Sequence, residues 1–347
     1  MSKGPFHGPG PEPTATERPD PGDSPRQVWV PVRPAANVDG RRPPGVGGPG
    51  GPGDGWPGGG WPGRPPVIEV RPPAPPPPVP EPRLRLPMLL FVLTCLSTTL
   101  TGGPLYGVAV MIILLSHELG HYLQARRYRV PASLPYFLPL PVISPFGTLG
   151  AVIGMRPRTA TGRGLFDIAI SGPIAGLVPT LLFAVIGLRQ SEFVPNAELP
   201  EGPSYIFGEP LLFEWLSQLV LGPAPADHTL MIGSLAFAAW VGIFITALNL
   251  LPIGQLDGGH ILYALAPRHA HTIGLGLFGA ALGYVILQGL WHWTLLIGLL
   301  MLMGFRHPPA IDSPPFPLGA TRRVLGWLLL LFVIVGLTPT PIDITGV

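Results

Sequence analysis

Val108-Ala-Val-Met-Ile-Ile-Leu-Leu-Ser-His-Glu-Leu-Gly-His121 decides how this 347-residue chain is read. Eight apolar residues lead into His117-Glu118-Leu119-Gly120-His121, and the apolar run continues to Leu123. On a helix, the H-E-x-x-H spacing puts two imidazoles one turn apart on one face with a carboxylate beside the first. Two neutral imidazole nitrogens suit Zn²⁺, and Glu118 is placed to take a proton from water at the metal. The surroundings read as a membrane span, where ionisable side chains are costly and point to function by default.

Outward from this stretch the chain divides at about residue 85. Residues 1–85 are a Pro/Gly-rich arm, with Gly45-Val-Gly-Gly-Pro-Gly-Gly-Pro-Gly53 as its extreme. No apolar period runs through it, so no core offsets the entropy of ordering it, and a disordered cytoplasmic arm is expected. It lacks the triplet glycine of collagen and the apolar stretch of a signal peptide. Trp56 and Trp61 leave room for an unknown partner or a plain spacer. Beyond it, the apolar segments are Leu86–Leu100, Leu105–Leu123, Leu165–Leu188, Leu230–Leu250, Ile273–Leu290, Trp293–Phe305 and Val324–Leu337. Charged residues are 12% of the chain, about half of the usual share. The expected fold is an all-α polytopic membrane protein of six to seven transmembrane helices, in a lipid bilayer and with no nucleic-acid partner. Cys95, the single cysteine, excludes a disulfide framework or a cysteine metal site.

Segment 124–164 carries Arg126, Arg127, Arg129, Arg156, Arg158 and Arg163 without an acid, whereas 190–228 carries acids without Lys or Arg. The positive-inside rule then gives a cytoplasmic N-terminus, seven crossings and an outside C-terminus, with His117–His121 towards the cytoplasmic face. Between Pro131 and Gly164 the apolar sequence is broken by Pro and Gly, and Thr148–Met155 has strand-forming residues. A short re-entrant or interfacial β-hairpin near the metal is expected there, with a surface loop as the alternative.

Two histidines leave zinc short of a third protein ligand. Asp167 is one candidate, although a helix-start carboxylate paired with Arg163 explains it more simply. Asp257 fits better. It lies in Asn249-Leu-Leu-Pro-Ile-Gly-Gln-Leu-Asp-Gly-Gly-His260, on the side of the membrane where His121 lies, with Pro and Gly breaking the helix around it. His260 is expected to pack or hydrogen-bond rather than ligate, since catalytic zinc keeps a position open. His269, His271, His292 and His307 read as interfacial or loop residues.

The pairing of H-E-L-G-H with N-L-L-P-I-G-Q-L-D-G-G-H resembles the site-2 protease family of intramembrane zinc metalloproteases, in the branch shared by bacteria and chloroplasts. Phe146-Gly-Thr-Leu-Gly-Ala151 and Ala169-Ile-Ser-Gly-Pro-Ile-Ala-Gly176 also look like family segments. The resemblance implies one Zn²⁺ per chain on His117, His121 and Asp257, Glu118 as catalytic base, and Asn249, Gly147 and Gly150 as substrate-binding positions. It further implies a metalloendopeptidase that cuts transmembrane protein substrates near the cytoplasmic face, in regulated intramembrane proteolysis. The division expected is arm 1–85, protease domain 86–305, and a linker with an extra span over 306–347. A structural zinc site would want a fourth protein ligand. A CAAX-type protease would want a later glutamate as third ligand, and no Glu follows Glu214. The expected location is a bacterial inner membrane, because no Ser-rich transit sequence precedes the arm.

Overall fold

A computed structural model of the chain describes residues 84–345, apart from 142, 156, 199–203, 291, 292 and 306. The arm up to residue 83 and His292 therefore lie outside the described residues. Helix α1 (Arg85–Arg127) contains Pro104 and a non-helical Gly103 with φ +85°. A Cβ on Gly107 would lie 3.1 Å from the Thr99 Cα, whereas eight residues of continuous helix would separate the two positions by about 12 Å. The chain therefore reverses at Gly103, and arms 85–102 and 104–127 pack side by side. Gly103 supplies the positive φ, and Pro104 starts the second arm where a missing N–H costs nothing.

After α1 come β1 (Tyr136–Pro139) and β2 (Thr148–Val152), an antiparallel pair with Tyr136 opposite Val152 and Pro139 opposite Thr148. This is the expected hairpin, and α1 holds it. The Ser97 hydroxyl donates to the Gly147 carbonyl at 2.5 Å, and the Tyr106 hydroxyl donates to the Phe146 carbonyl at 2.9 Å. Phe91 and Phe137 meet edge to face at 5.2 Å. A backbone that cannot be helical thus finds its polar partners in protein.

The chain continues through α2 (Gly162–Leu188), β3 (Glu192–Pro195), β4 (Ser204–Phe207), α3 (Leu211–Leu221), β5 (His228–Met231) and α4 (Ser234–Asn249). Helices α5 (Asp257–Leu265), α6 (Ala270–Gln288), α7 (Thr294–Met303) and α8 (Ala320–Gly336) follow, and β6 (Ile342–Thr345) closes the described chain. The fold is mostly helical rather than all-α. Strand β3 pairs with β5 and β4 with β6, so two further antiparallel pairs form where loops were expected. The segment expected as a span from Leu230 loses its start to β5, because Gly233 caps α4 and the helix begins at Ser234.

Helices α1, α2 and α6 are long and apolar enough to cross a bilayer. Their outward faces are apolar too: Leu100 is 82% exposed and Leu287 85%. Large apolar side chains exposed over whole helix faces are stable only where lipid covers them. Inside, Trp240 of α4 is buried among Phe146, Phe207, Phe237 and Phe244, and its Nε1 donates to the Gly208 carbonyl at 2.9 Å. A second core joins Phe166 of α2 to Ile261 of α5 and Leu329 of α8.

Candidate metal centre

His117, Glu118 and His121 stand on the second arm of α1, all buried, with the two imidazole centroids 4.9 Å apart. Helix α2 comes up against them because the crossing is lined with glycine. A Cβ on Gly172 would fall 2.1 Å from the His121 Nε2, one on Gly176 3.1 Å from the His117 Cβ, and one on Gly120 2.4 Å from the Ser171 carbonyl oxygen. Gly172-Pro-Ile-Ala-Gly176 is a small-xxx-small seam of the kind that lets membrane helices approach closely.

Asp257 arrives from the other side. Helix α4 ends at Asn249, and the chain turns through Pro252 and Gly254 (φ +55°) to place Asp257 as the first residue of α5. Its Oδ2 lies 3.1 Å from the His117 Nε2 and 3.2 Å from the His121 Nε2. His121 Nδ1 is 2.8 Å from the Ile168 carbonyl, which can only accept, so Nδ1 carries the proton. In the neutral ring that a metal ligand must be, Nε2 then offers its lone pair on the side of the Asp257 carboxylate.

Contacts of this length are held either by a proton on the imidazole or by a metal ion between the donors. Donors about 2.0–2.1 Å from a tetrahedral zinc stand about 3.3 Å apart. The observed spacing fits, as do the donor types, and the Ile168 carbonyl fixes the ring as the outer partner of a metal-bound histidine does. Among the described residues these three form the one group of His, Cys, Asp or Glu side chains close enough to hold a metal ion.

The group opens into a cavity of about 170 Å³, lined also by Glu118, Asn249, Ala151, Val152 and His260. Asn249 Nδ2 lies 3.4 Å from the His117 Nε2. Of the expected substrate positions, Asn249 faces this space, while Gly147 and Gly150 are not among its lining. Gly147 instead seats the hairpin: a Cβ there would meet the Ser97 carbonyl at 2.9 Å. The strand residues on the cavity wall are Ala151 and Val152, one step further along β2.

Sequence reasoning left two contacts unseen. His260 Nδ1 and His307 Nε2 are 2.5 Å apart, and the His307 ring stacks on Tyr263 with centroids 4.0 Å apart. Burial pushes the His307 imidazole down to about 3 and that of His260 to about 4, so both rings are neutral at physiological pH. Asp167 does form an ion pair, but with Arg322 of α8 rather than with Arg163, and Tyr128 also donates to it.

The sequence matches Peptidase family M50 over residues 106–283. It is 34% identical over 240 residues to the probable zinc metalloprotease EGY1, chloroplastic, of Arabidopsis thaliana, covering 67% of this chain and 42% of that one. The probable zinc metalloprotease EGY2, chloroplastic, of the same plant is 30% identical over 247 residues, 68% of this chain and 41% of the relative. The probable zinc metalloprotease EGY3, chloroplastic, of Oryza sativa subsp. indica is 30% identical over 256 residues, 68% and 42% respectively. The chain thus spans about two fifths of the length of these relatives. They are chloroplast proteins, so the expected bacterial inner membrane gains no support from them. No solved structure matches this chain.

Proposed function

The chain belongs to peptidase family M50, and from that premise and the His117–His121–Asp257 cluster we propose that it is an intramembrane zinc metalloprotease cutting transmembrane proteins. The observation carrying the proposal is the convergence of two Nε2 atoms and one Oδ2 at 3.1–3.2 Å beside a buried glutamate. His117, His121 and Asp257 would hold the ion, one per chain. When bound, zinc supplies polarisation of the scissile carbonyl and lowers the pKa of water.

Glu118 takes a proton from the attacking water on its carboxylate and delivers it to the leaving amine nitrogen. The Ile168 carbonyl keeps the His121 proton on Nδ1, away from the cavity. A transmembrane substrate must unwind before cleavage, because its carbonyls are hydrogen-bonded within its own helix. Among the described residues strand β2 pairs with β1 alone, and its other edge is assigned to accept an extended segment. Asn249 and the β2 segment that follows Gly147 and Gly150 are assigned to that binding, with Ala151 and Val152 as the contacting wall.

Seven crossings are assigned to the two arms of α1, to α2, α4, α6, α7 and α8. The Arg-rich segment 124–164 puts the N-terminus and the metal on the cytoplasmic side and the C-terminus outside. Helices α4, α7 and α8 have 16, 10 and 17 residues and must rely on neighbours or a thinned bilayer. The division into arm 1–85, protease domain 86–305 and C-terminal part 306–347 is kept, within an integral membrane protein of unassigned membrane.

The test is substrate trapping. Glu118→Gln, produced in the source cell, should cause single-span membrane proteins to accumulate in full-length or partly trimmed form. A membrane proteome identical to that of the wild type would remove the proteolytic reading.

A further inference from the structure

Helix α8 lies beyond the family match, which ends at residue 283, yet its first turn reaches the metal centre through two links. Arg322 Nε donates to Asp167 Oδ1 at 2.7 Å, and its Nη2 donates to Oδ2 at 2.9 Å. Such a two-pronged guanidinium–carboxylate pair fixes direction as well as distance. The Asp167 side chain is 7% exposed, so its charge depends on this partner. The Tyr128 hydroxyl donates to the same Oδ2 at 2.5 Å. One residue on, the Ile168 carbonyl accepts from the His121 Nδ1 at 2.8 Å, with the Ser171 hydroxyl 2.6 Å away.

The same C-terminal stretch grips the start of α2 a second time. Asp312 Oδ1 accepts from the Gly162 backbone N–H at 2.7 Å, in the first turn of that helix. Close packing follows: a Cβ on Gly326 of α8 would stand 2.8 Å from the Phe166 ring. The segment leading to the Ile168 carbonyl is thus held at Gly162, Phe166 and Asp167 by residues 312–326.

We propose that Arg322 is a positioning residue for the metal centre: by clamping Asp167 it sets the Ile168 carbonyl, and through that the orientation and tautomer of His121. This rests on the reading of His121 as a metal ligand. Without the guanidinium, a buried carboxylate loses its countercharge, and the first turns of α2 move to bring it to water. The carbonyl moves with them. Outer partners of metal-bound histidines are worth about 10–100-fold in metal affinity, and Arg322 acts through such a partner.

The experiment titrates the purified full chain in detergent with Zn²⁺ against a chelating dye and follows thermal unfolding of the same samples. Arg322→Gln should weaken zinc binding by about 10-fold. Arg322→Lys, which keeps the charge but not the fork, should weaken it less. Asp167→Asn combined with Arg322→Gln, a neutral pair that can still hydrogen-bond, should recover part of the loss. Leu329→Ala removes buried packing from the same helix without touching Asp167, and should lower the unfolding temperature while leaving zinc affinity at the wild-type value. Wild-type affinity in both Arg322 variants overturns the proposal. So does a loss in Leu329→Ala equal to that in Arg322→Gln, which would make α8 mere ballast. His121→Ala separates the two readings: if it too binds zinc normally, the metal site itself is misassigned.

Discussion

His121 and Ile168 form the hinge between helix packing and chemistry: the imidazole Nδ1–H donates to the main-chain carbonyl at 2.8 Å, which frees Nε2 to face Asp257 at 3.2 Å. A side-chain acceptor could rotate away. A carbonyl inside the second turn of α2 cannot, so the tautomer is set by how two helices cross.

Asp257 is assigned as the third ligand, which a chelate from α1 alone lacks. Asp257→Ala should lower zinc content to the level of His117→Ala, and Asp257→Asn should fall between, because its amide oxygen keeps the shape without the charge. Metal analysis of the purified variants decides the point; full occupancy in Asp257→Ala would remove the residue from the site.

Glu118 is assigned to proton transfer, so its loss should separate chemistry from metal binding. Glu118→Gln should retain zinc while cleavage drops by about 10²–10⁴-fold, the usual weight of a general base. Loss of both together would make Glu118 a ligand or a structural support instead.

Much of this was legible in the sequence because the signals are local. Helix-spaced His117 and His121 declare their shared face, the gap between the apolar segments Leu86–Leu100 and Leu105–Leu123 falls where α1 reverses, and broken apolar sequence at 131–155 marks the hairpin. Asp257 was legible because a carboxylate amid apolar residues without a nearby base needs an explanation. Arg322 was not. Its charge already had a complete explanation in the positive-inside rule, while its partner is 155 positions away and fixed only by the packing of α8 on α2. His307 failed similarly: an interfacial reading satisfied the sequence, and only the fold brings it to His260. The pairing of β4 with β6 had no signal, since two four-residue strands carry too little alternation to announce a register.

The α1–α2 seam gives a graded test of packing. At Gly172 an added methyl collides with the His121 ring at 2.1–2.5 Å, whereas at Gly176 it meets His117 at 3.1–3.5 Å. Gly172→Ala should cost stability by about 1–3 kcal/mol, the range for overpacking, and should also displace a ligand. Gly176→Ala should be milder on both counts. Unfolding and zinc content measured side by side would expose a reversed order, which this geometry does not allow.

The buried histidine pair gives a pH dependence whose sign can be worked out. In the folded protein His307 stays neutral down to about 3 and His260 down to about 4, while in the unfolded chain each takes a proton near about 6.5. Between those values the unfolded state binds more protons, so stability falls as the pH drops below about 6.5 and is unaffected above it. His307→Phe keeps a ring to stack on Tyr263 but cannot titrate. Unfolding temperatures in detergent should therefore decline less steeply from pH 6.5 to 4.5 in this variant than in the wild type, with His260 left as a remaining source of slope. Parallel profiles would show that the His307 ring takes up its proton within the folded protein at an ordinary pH, and that the contact with His260 does not hold it neutral.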